Sequence, residues 1–221
     1  MVTSSTTLAD LAVTHPAASR VFRRHRLDFC CHGARPLAAA CAERGLSTES
    51  VLAEIDREER GATASDARWD ERPLDELVAH IVDVYHRGLR EELKELVQMA
   101  AKVEARHADK ASCPRGLRAH LEEVHEAVLS HLAKEEQILF PMVLAGRGRL
   151  AGGPIHVMES EHDDHGESLQ RTRRLTADLT APEEACATWR ALYLRLARLE
   201  ADLMDHIHLE NNVLFRRVLA G

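Results

Sequence analysis

Aromatic side chains are scarce: two Trp, two Tyr and four Phe in 221 residues. No long basic stripe makes up for them, and the formal charge is −7. The stacking and phosphate-binding surface that holds nucleic acid is therefore missing, and no nucleic-acid partner is expected. No apolar run reaches the roughly 18 residues of a membrane-spanning helix, so no membrane partner is expected either. The opening Met1-Val2-Thr3-Ser4-Ser5-Thr6-Thr7 lacks the basic and apolar regions of an export signal, which leads to the expectation of a cytoplasmic protein. Cysteines number only five, Cys30, Cys31, Cys41, Cys113 and Cys186, an odd count without a framework spacing. In a reducing compartment they read as free thiols.

What the chain does have is alanine, leucine and charge alternating at helical spacing, which predicts an all-α protein. It also has histidine. There are 14, and 11 of them lie beyond residue 79. Histidine is the commonest metal ligand, so such enrichment asks where each one falls.

Residues 1–57 read as a block of short helices. Pro16 and Pro36 mark helix starts, Gly45 a stop, and Ser47 an N-cap for a helix through Ile55. Between them Leu27-Asp28-Phe29-Cys30-Cys31-His32-Gly33 reads as a loop. Residues 58–73 are charged, small and punctuated by Gly61 and Pro73, and form the expected linker. Residues 74–221 parse into four long helical stretches, about 74–107, 115–144, 155–179 and 183–219, with Pro182 just inside the last start. Short connections between them predict an antiparallel four-helix bundle.

That second part repeats internally. His131-Leu-Ala-Lys-Glu135-Glu-Gln-Ile-Leu139-Phe140 matches His206-Ile-His-Leu-Glu210-Asn-Asn-Val-Leu214-Phe215 at an offset of 75 residues. His80 and His86 match His156 and His162 at an offset of 76. Residues four apart share one face of a helix, so His131 projects with Glu135 and His206 with Glu210. One such pair alone is ordinarily an exposed i,i+4 contact. Two copies, each running into Leu-Phe, put imidazole and carboxylate on core-facing stripes, where burial is costly unless a metal supplies the partner. With His86 and His162 the set becomes four His and two Glu. Shared over two metals with both carboxylates bridging, it gives each metal two nitrogens and two oxygens; an oxo or hydroxo bridge would make five and leave an open position. The ligand types suit iron without excluding manganese or zinc. The order His-x-x-x-Glu differs from the Glu-x-x-His of ferritin-like sites. His80 and His156 fall on another face and are left as surface or supporting groups, and His125, His165 and His208 as non-ligands.

Three strings carry a resemblance: Lys134-Glu135-Glu136-Gln137-Ile138-Leu139-Phe140-Pro141-Met142, Val157-Met158-Glu159-Ser160-Glu161-His162-Asp163, and Leu203-Met204-Asp205-His206-Ile207 followed by Leu209-Glu210-Asn211-Asn212. With Asp28-Phe29-Cys30-Cys31 they make the chain similar, over essentially its full length, to the hemerythrin-like repair-of-iron-centres family. The resemblance implies a small N-terminal helical domain and a hemerythrin-type bundle. It implies two non-haem iron ions bridged by Glu135 and Glu210, with His86, His131, His162 and His206 as terminal ligands. It implies repair of iron–sulfur clusters damaged by nitric oxide or hydrogen peroxide, with damaged iron–sulfur proteins as partners and iron donation as the route, and it allows a homodimer through the N-terminal block. A family carboxylate is unmatched where Ala127 follows Glu126; Glu161 is retained.

Adjacent cysteines close a disulfide only in a strained ring, so Cys30 and Cys31 read as a labile redox pair, with His32, Arg23, Arg24 and Arg26 expected to favour the thiolate. Two further readings of the iron site stand beside repair. An open position suits nitric oxide or dioxygen, bound as in a sensor or store; reduction of the gas there would make the protein an enzyme. A metal-activated water suits a hydrolase, but no substrate-recognition motif accompanies it.

Overall fold

The first sixty residues carry their apolar side chains in groups only one or two turns long, and they fold accordingly. The structure, a computed structural model, describes residues 5–61 and 67–221. Residues 1–4 of the N-terminal stretch and residues 62–66 of the linker lie outside the described residues. Helices α1 (Leu8–Thr14), α2 (Ala18–Arg24), α3 (Leu37–Glu43) and α4 (Thr48–Arg60) follow one another. Thr7 caps α1 by accepting the Asp10 N–H, and Ser47 caps α4 by accepting that of Ser50. The last of these helices runs five residues past Ile55.

The remaining α-helices are α5 (Leu74–His80), α6 (Arg87–Arg106), α7 (Leu117–Lys134), α8 (Phe140–Leu144), α9 (Gly152–Leu175), α10 (Ala187–His208) and α11 (Arg216–Ala220), with short 3-10 turns at Trp69–Glu71 and Gly148–Leu150. Three π-helical segments are inserted between them: π1 (Ile81–His86), π2 (Glu135–Leu139) and π3 (Leu209–Phe215). The protein is all-α, and no strand occurs among the described residues; a lone backbone bridge joins Thr7 and Pro36.

Helix α9 starts at Gly152, three residues before the sequence reading, and two boundaries differ further. Helix α9 ends at Leu175, not near residue 179, because Ala177, Asp178 and Leu179 all take left-handed backbone angles. Thr176 replaces the missing helical bonds: its hydroxyl donates to Thr172 O and accepts the Leu179 N–H, and Asp178 N–H reaches Arg173 O. Helix α10 then begins at Ala187, five residues beyond Pro182.

Contacts divide the chain into two compact units. The first is the described part of Met1–Val78 together with Met204–Gly221. Its core holds Leu8, Leu11, Val21, Phe22, Leu27, Phe29, Leu37, Val51 and Ile55. Each such fully buried side chain contributes about 1.5–3 kcal/mol before entropy is counted. Within this unit Asn212 donates to Phe29 O at 2.9 Å and Asn211 to Cys30 O at 3.1 Å, so π3 holds the backbone of the cysteine loop.

The second unit is Ala79–Leu203. Its four long helices form a ring of neighbours. His120 of α7 meets Thr172 of α9 at 2.9 Å, Arg173 of α9 meets Glu200 of α10, and Arg195 of α10 clasps Glu92 of α6 with two bonds of 2.7 Å. Leu93, Leu121, Leu169 and Leu196, one from each helix, line a cavity of only about 10 Å³ at their centre. The bundle predicted from the four periodic stretches is therefore tightly packed.

Candidate metal centre

In the second unit His86 closes π1, His131 lies in the last turn of α7, Glu135 opens π2, and His162 sits mid-way along α9. All four are buried: His86, Glu135 and His162 at 0% exposure and His131 at 2%. Glu135 Oε2 lies 3.4 Å from His86 Nε2 and 3.5 Å from His131 Nε2, and His162 Nε2 is 3.1 Å from His131 Nε2. Three imidazoles and one carboxylate thus converge from three helices.

The far sides of two rings are held. His86 Nδ1 is 2.7 Å from Glu136 Oε1, which also accepts from Arg90, and His131 Nδ1 is 2.9 Å from Glu161 Oε2, while the other oxygen of Glu161 pairs with Lys134. With Nδ1–H donating to a carboxylate, a neutral imidazole presents Nε2 as a lone pair. Lone pairs on His86 and His131 then point toward the Glu135 carboxylate and toward each other's neighbourhood, an arrangement a cation satisfies at a stroke. The donor set and its burial fit a metal site. Burial works against ionisation of Glu136, but the bonds from His86 and Arg90 outweigh it and hold its carboxyl below the usual range. It therefore stays a charged acceptor. Replacing Glu136 with alanine is expected to weaken iron retention by about 10- to 100-fold while leaving helix content unchanged, measured by chelator competition.

In the first unit His206 and Glu210 repeat the i,i+4 geometry, with Nε2 2.9 Å from Oε1, exposures of 1% and 0%, and Glu210 within π3. Candidate ligand positions thus fall in each of the three π segments among the described residues, and such segments are rare in helices and concentrate at functional sites.

The other histidines sort differently. His80 packs edge-on against Tyr85, and His156 is exposed. His165 is buried with its ring 5.0 Å from that of His131, so it flanks a candidate ligand. His208 is buried, its Nδ1 within 3.0 Å of Asn212 Nδ2, and burial pushes its pKa down to about 4. Glu136 is a supporting residue that sequence reasoning missed. The signal was its place directly after a ligand in the Glu135-Glu136 doublet.

Cys30 and Cys31 are free thiols with sulfurs 3.7 Å apart. The expected cationic surroundings are not what Cys30 meets. Arg23 pairs with Asp205, Arg24 with Glu54 and Glu58, and His32 with Asp28. The neighbouring Cys31 sulfur, burial and the Asp28 carboxylate 3.4 Å away push the Cys30 thiol well up, so it holds its proton.

Comparison with known proteins agrees with this geometry. A model of the hemerythrin HHE cation binding domain matches residues 77–218, and a domain of unknown function, DUF542, matches residues 4–59. The iron-sulfur cluster repair protein YtfE of Shigella boydii serotype 4 is 49% identical over 214 residues, which cover 97% of this chain and 96% of the relative. The protein of the same name from Escherichia coli O139:H28 matches with the same identity and coverage. These findings bear out the resemblance read from the motifs.

Proposed function

Because the chain belongs to the hemerythrin-like iron–sulfur cluster repair family, we propose that it rebuilds damaged iron–sulfur clusters by giving up iron held at a two-iron site. In this reading His86, His131, Glu135, His162, His206 and Glu210 would hold the iron, the two carboxylates as shared ligands and the four imidazoles as terminal ones. Residues 74–221 form the hemerythrin-like bundle, residues 1–57 the small helical domain, and 58–73 the linker. The observation that carries the reading is the convergence of three buried imidazoles on Glu135 with Nδ1 of two of them fixed by outer carboxylates. The sequence repeat that relates His131 and Glu135 to His206 and Glu210 supports the second half of the set.

Bound iron supplies a redox-active and exchangeable metal. The chain's own part is to aim the imidazoles, through Glu136 and Glu161, and to shield the site by burial. Cys30 and Cys31 serve repair from the N-terminal block, as a redox pair. Changing both to alanine is expected to lower cluster repair by about an order of magnitude and leave iron content intact, since no metal ligand is lost.

The test loads the protein anaerobically with isotopically labelled ferrous iron and mixes it with a protein whose cluster nitric oxide has destroyed. Recovery of cluster absorbance with labelled iron in the recovered cluster is the expected result. Recovery without label would overturn donation. Catalytic loss of nitric oxide without recovery would favour the gas-reducing reading. Failure to retain iron would sink the site itself.

A further inference from the structure

A second reactive pair lies in the Ala79–Leu203 unit and takes no part in the histidine–carboxylate cluster. His107 ends α6, its backbone N–H bonding Val103 O. Cys186 directly precedes α10, its carbonyl accepting the Arg190 N–H at 3.0 Å. Their side chains meet: His107 Nε2 is 3.2 Å from Cys186 Sγ. The imidazole is buried, at 9% exposure, with its ring 4.9 Å from that of Trp189, while Cys186 is half-buried and reachable from solvent.

Both helix ends favour the same movement of charge. The carbonyl end of the 20-residue α6 favours a cation at His107. The N–H end of the 22-residue α10 favours an anion at Cys186. The segment before Cys186 is pinned, because Arg190 donates to the carbonyls of Ala185 and Glu183. Ser112 donates to Glu184 at 2.6 Å, and this bond holds the Glu184 carboxyl below its usual range. A thiol beside a positioned base at a helix N-terminus is the arrangement that activates sulfur as a nucleophile.

We propose that Cys186 is a peroxide-reactive thiol, with His107 as its base. The Cys186 thiol proton passes to His107 Nε2 as Sγ attacks one oxygen of hydrogen peroxide. The S–O bond forms, the O–O bond breaks, and the departing hydroxide takes the proton back from Nε2 as water. Sulfur is oxidised by two electrons to the sulfenic acid, and peroxide is reduced to water and the new hydroxyl group.

The iron-loaded full chain is exposed to iodoacetamide, and separately to one equivalent of hydrogen peroxide with dimedone present. Adducts are located by peptide mass spectrometry. Cys186 is expected to alkylate about 10-fold faster than free cysteine at neutral pH, of which only a few per cent is thiolate, and to carry the dimedone adduct. His107→Gln, which keeps a side chain of similar reach without the base, is expected to slow alkylation about 10-fold with unchanged circular dichroism and iron content. Alkylation of wild-type Cys186 no faster than free cysteine would overturn the proposal whether or not the variant folds. So would a folded His107→Gln protein reacting at the wild-type rate, or the absence of a dimedone adduct at Cys186.

Discussion

Glu135→Ala is expected to strip the protein of stably bound iron, with affinity falling by more than about 100-fold, beyond the effect of losing a supporting residue. The reason is geometric. Glu135 Oε2 lies within 3.5 Å of both His86 Nε2 and His131 Nε2. Without it three imidazoles remain in the second unit, and the carboxylates nearest them, Glu136 and Glu161, are engaged on the far sides of the rings. The fold should survive, because alanine is the best helix former and replaces a carboxylate whose burial is costly without a metal. The apo variant is therefore expected to melt at or above the temperature of the apo wild type. Wild type gains stability on iron loading through binding to the native state alone, and the variant loses that gain. Parallel melts with and without iron, with metal analysis, check both statements. Glu159→Ala, on the exposed face of α9, is the control that keeps its iron. Glu135→Ala retaining two irons per chain would overturn the ligand assignment.

Much of this was readable beforehand, for a definite reason. A four-residue spacing is a statement about one helical face, so His131 with Glu135 and His206 with Glu210 were visible as pairs, and duplication made them visible as a site. The stripes of α6 and α10, such as Leu89, Leu93 and Leu96 or Leu192, Leu196 and Leu199, likewise repeat with the helix. The π segments were not readable. A π turn differs from an α turn by one residue in a single turn, and the apolar pattern around Glu135-Glu136-Gln137-Ile138-Leu139 suits either. The pairing of the supporting carboxylates was hidden for a related reason, although the resemblance had marked Glu161 as a retained acid. Glu136 reaches His86 fifty residues earlier, and Glu161 reaches His131 thirty residues earlier, so each depends on packing between helices, which local spacing does not encode.

Helix ends failed where the bonds of a local turn outvoted propensity. Ala177 and Leu179 are good helix formers, yet both take positive φ because Thr176 and Arg173 supply the hydrogen bonds of a tight turn. The cysteine loop failed in the same way. Arg23, Arg24 and His32 are near Cys30 and Cys31 in the chain, but acidic partners bind them, and the group that approaches the Cys30 sulfur is Asp28. Proximity in sequence named the charges and missed their partners.

That loop also sets the second large effect. Gly33→Ala is expected to destabilise the N-terminal unit by about 3 kcal/mol, the upper part of the usual range for overpacking. A Cβ at residue 33 would press inside contact distance of Phe29 O and come within 2.9 Å of Ala9 Cβ. Neither neighbour is a flexible side-chain tip that turns aside. Phe29 O accepts from Asn212 Nδ2, Gly33 O accepts the Ala9 N–H at 2.8 Å, and Ala9 is wholly buried in α1. Relief therefore requires the turn carrying Cys30 and Cys31 to move away from α1 or from π3, at the cost of buried hydrogen bonds. Gly45→Ala separates this close packing from backbone strain. Gly45 has φ +65 with nothing within 4 Å of the added Cβ, so its cost is the left-handed angle alone, about 1 kcal/mol. Urea titrations of the two variants, with cysteine alkylation followed in the same samples, are the check. Gly33→Ala should lower the midpoint about three times as far as Gly45→Ala, by the ratio of these estimates, and should expose Cys30, which is buried in the native chain, to alkylation. Equal midpoints would show that the turn yields without loss, and the cysteine loop would then not be held by Gly33, Asn212 and α1 as described.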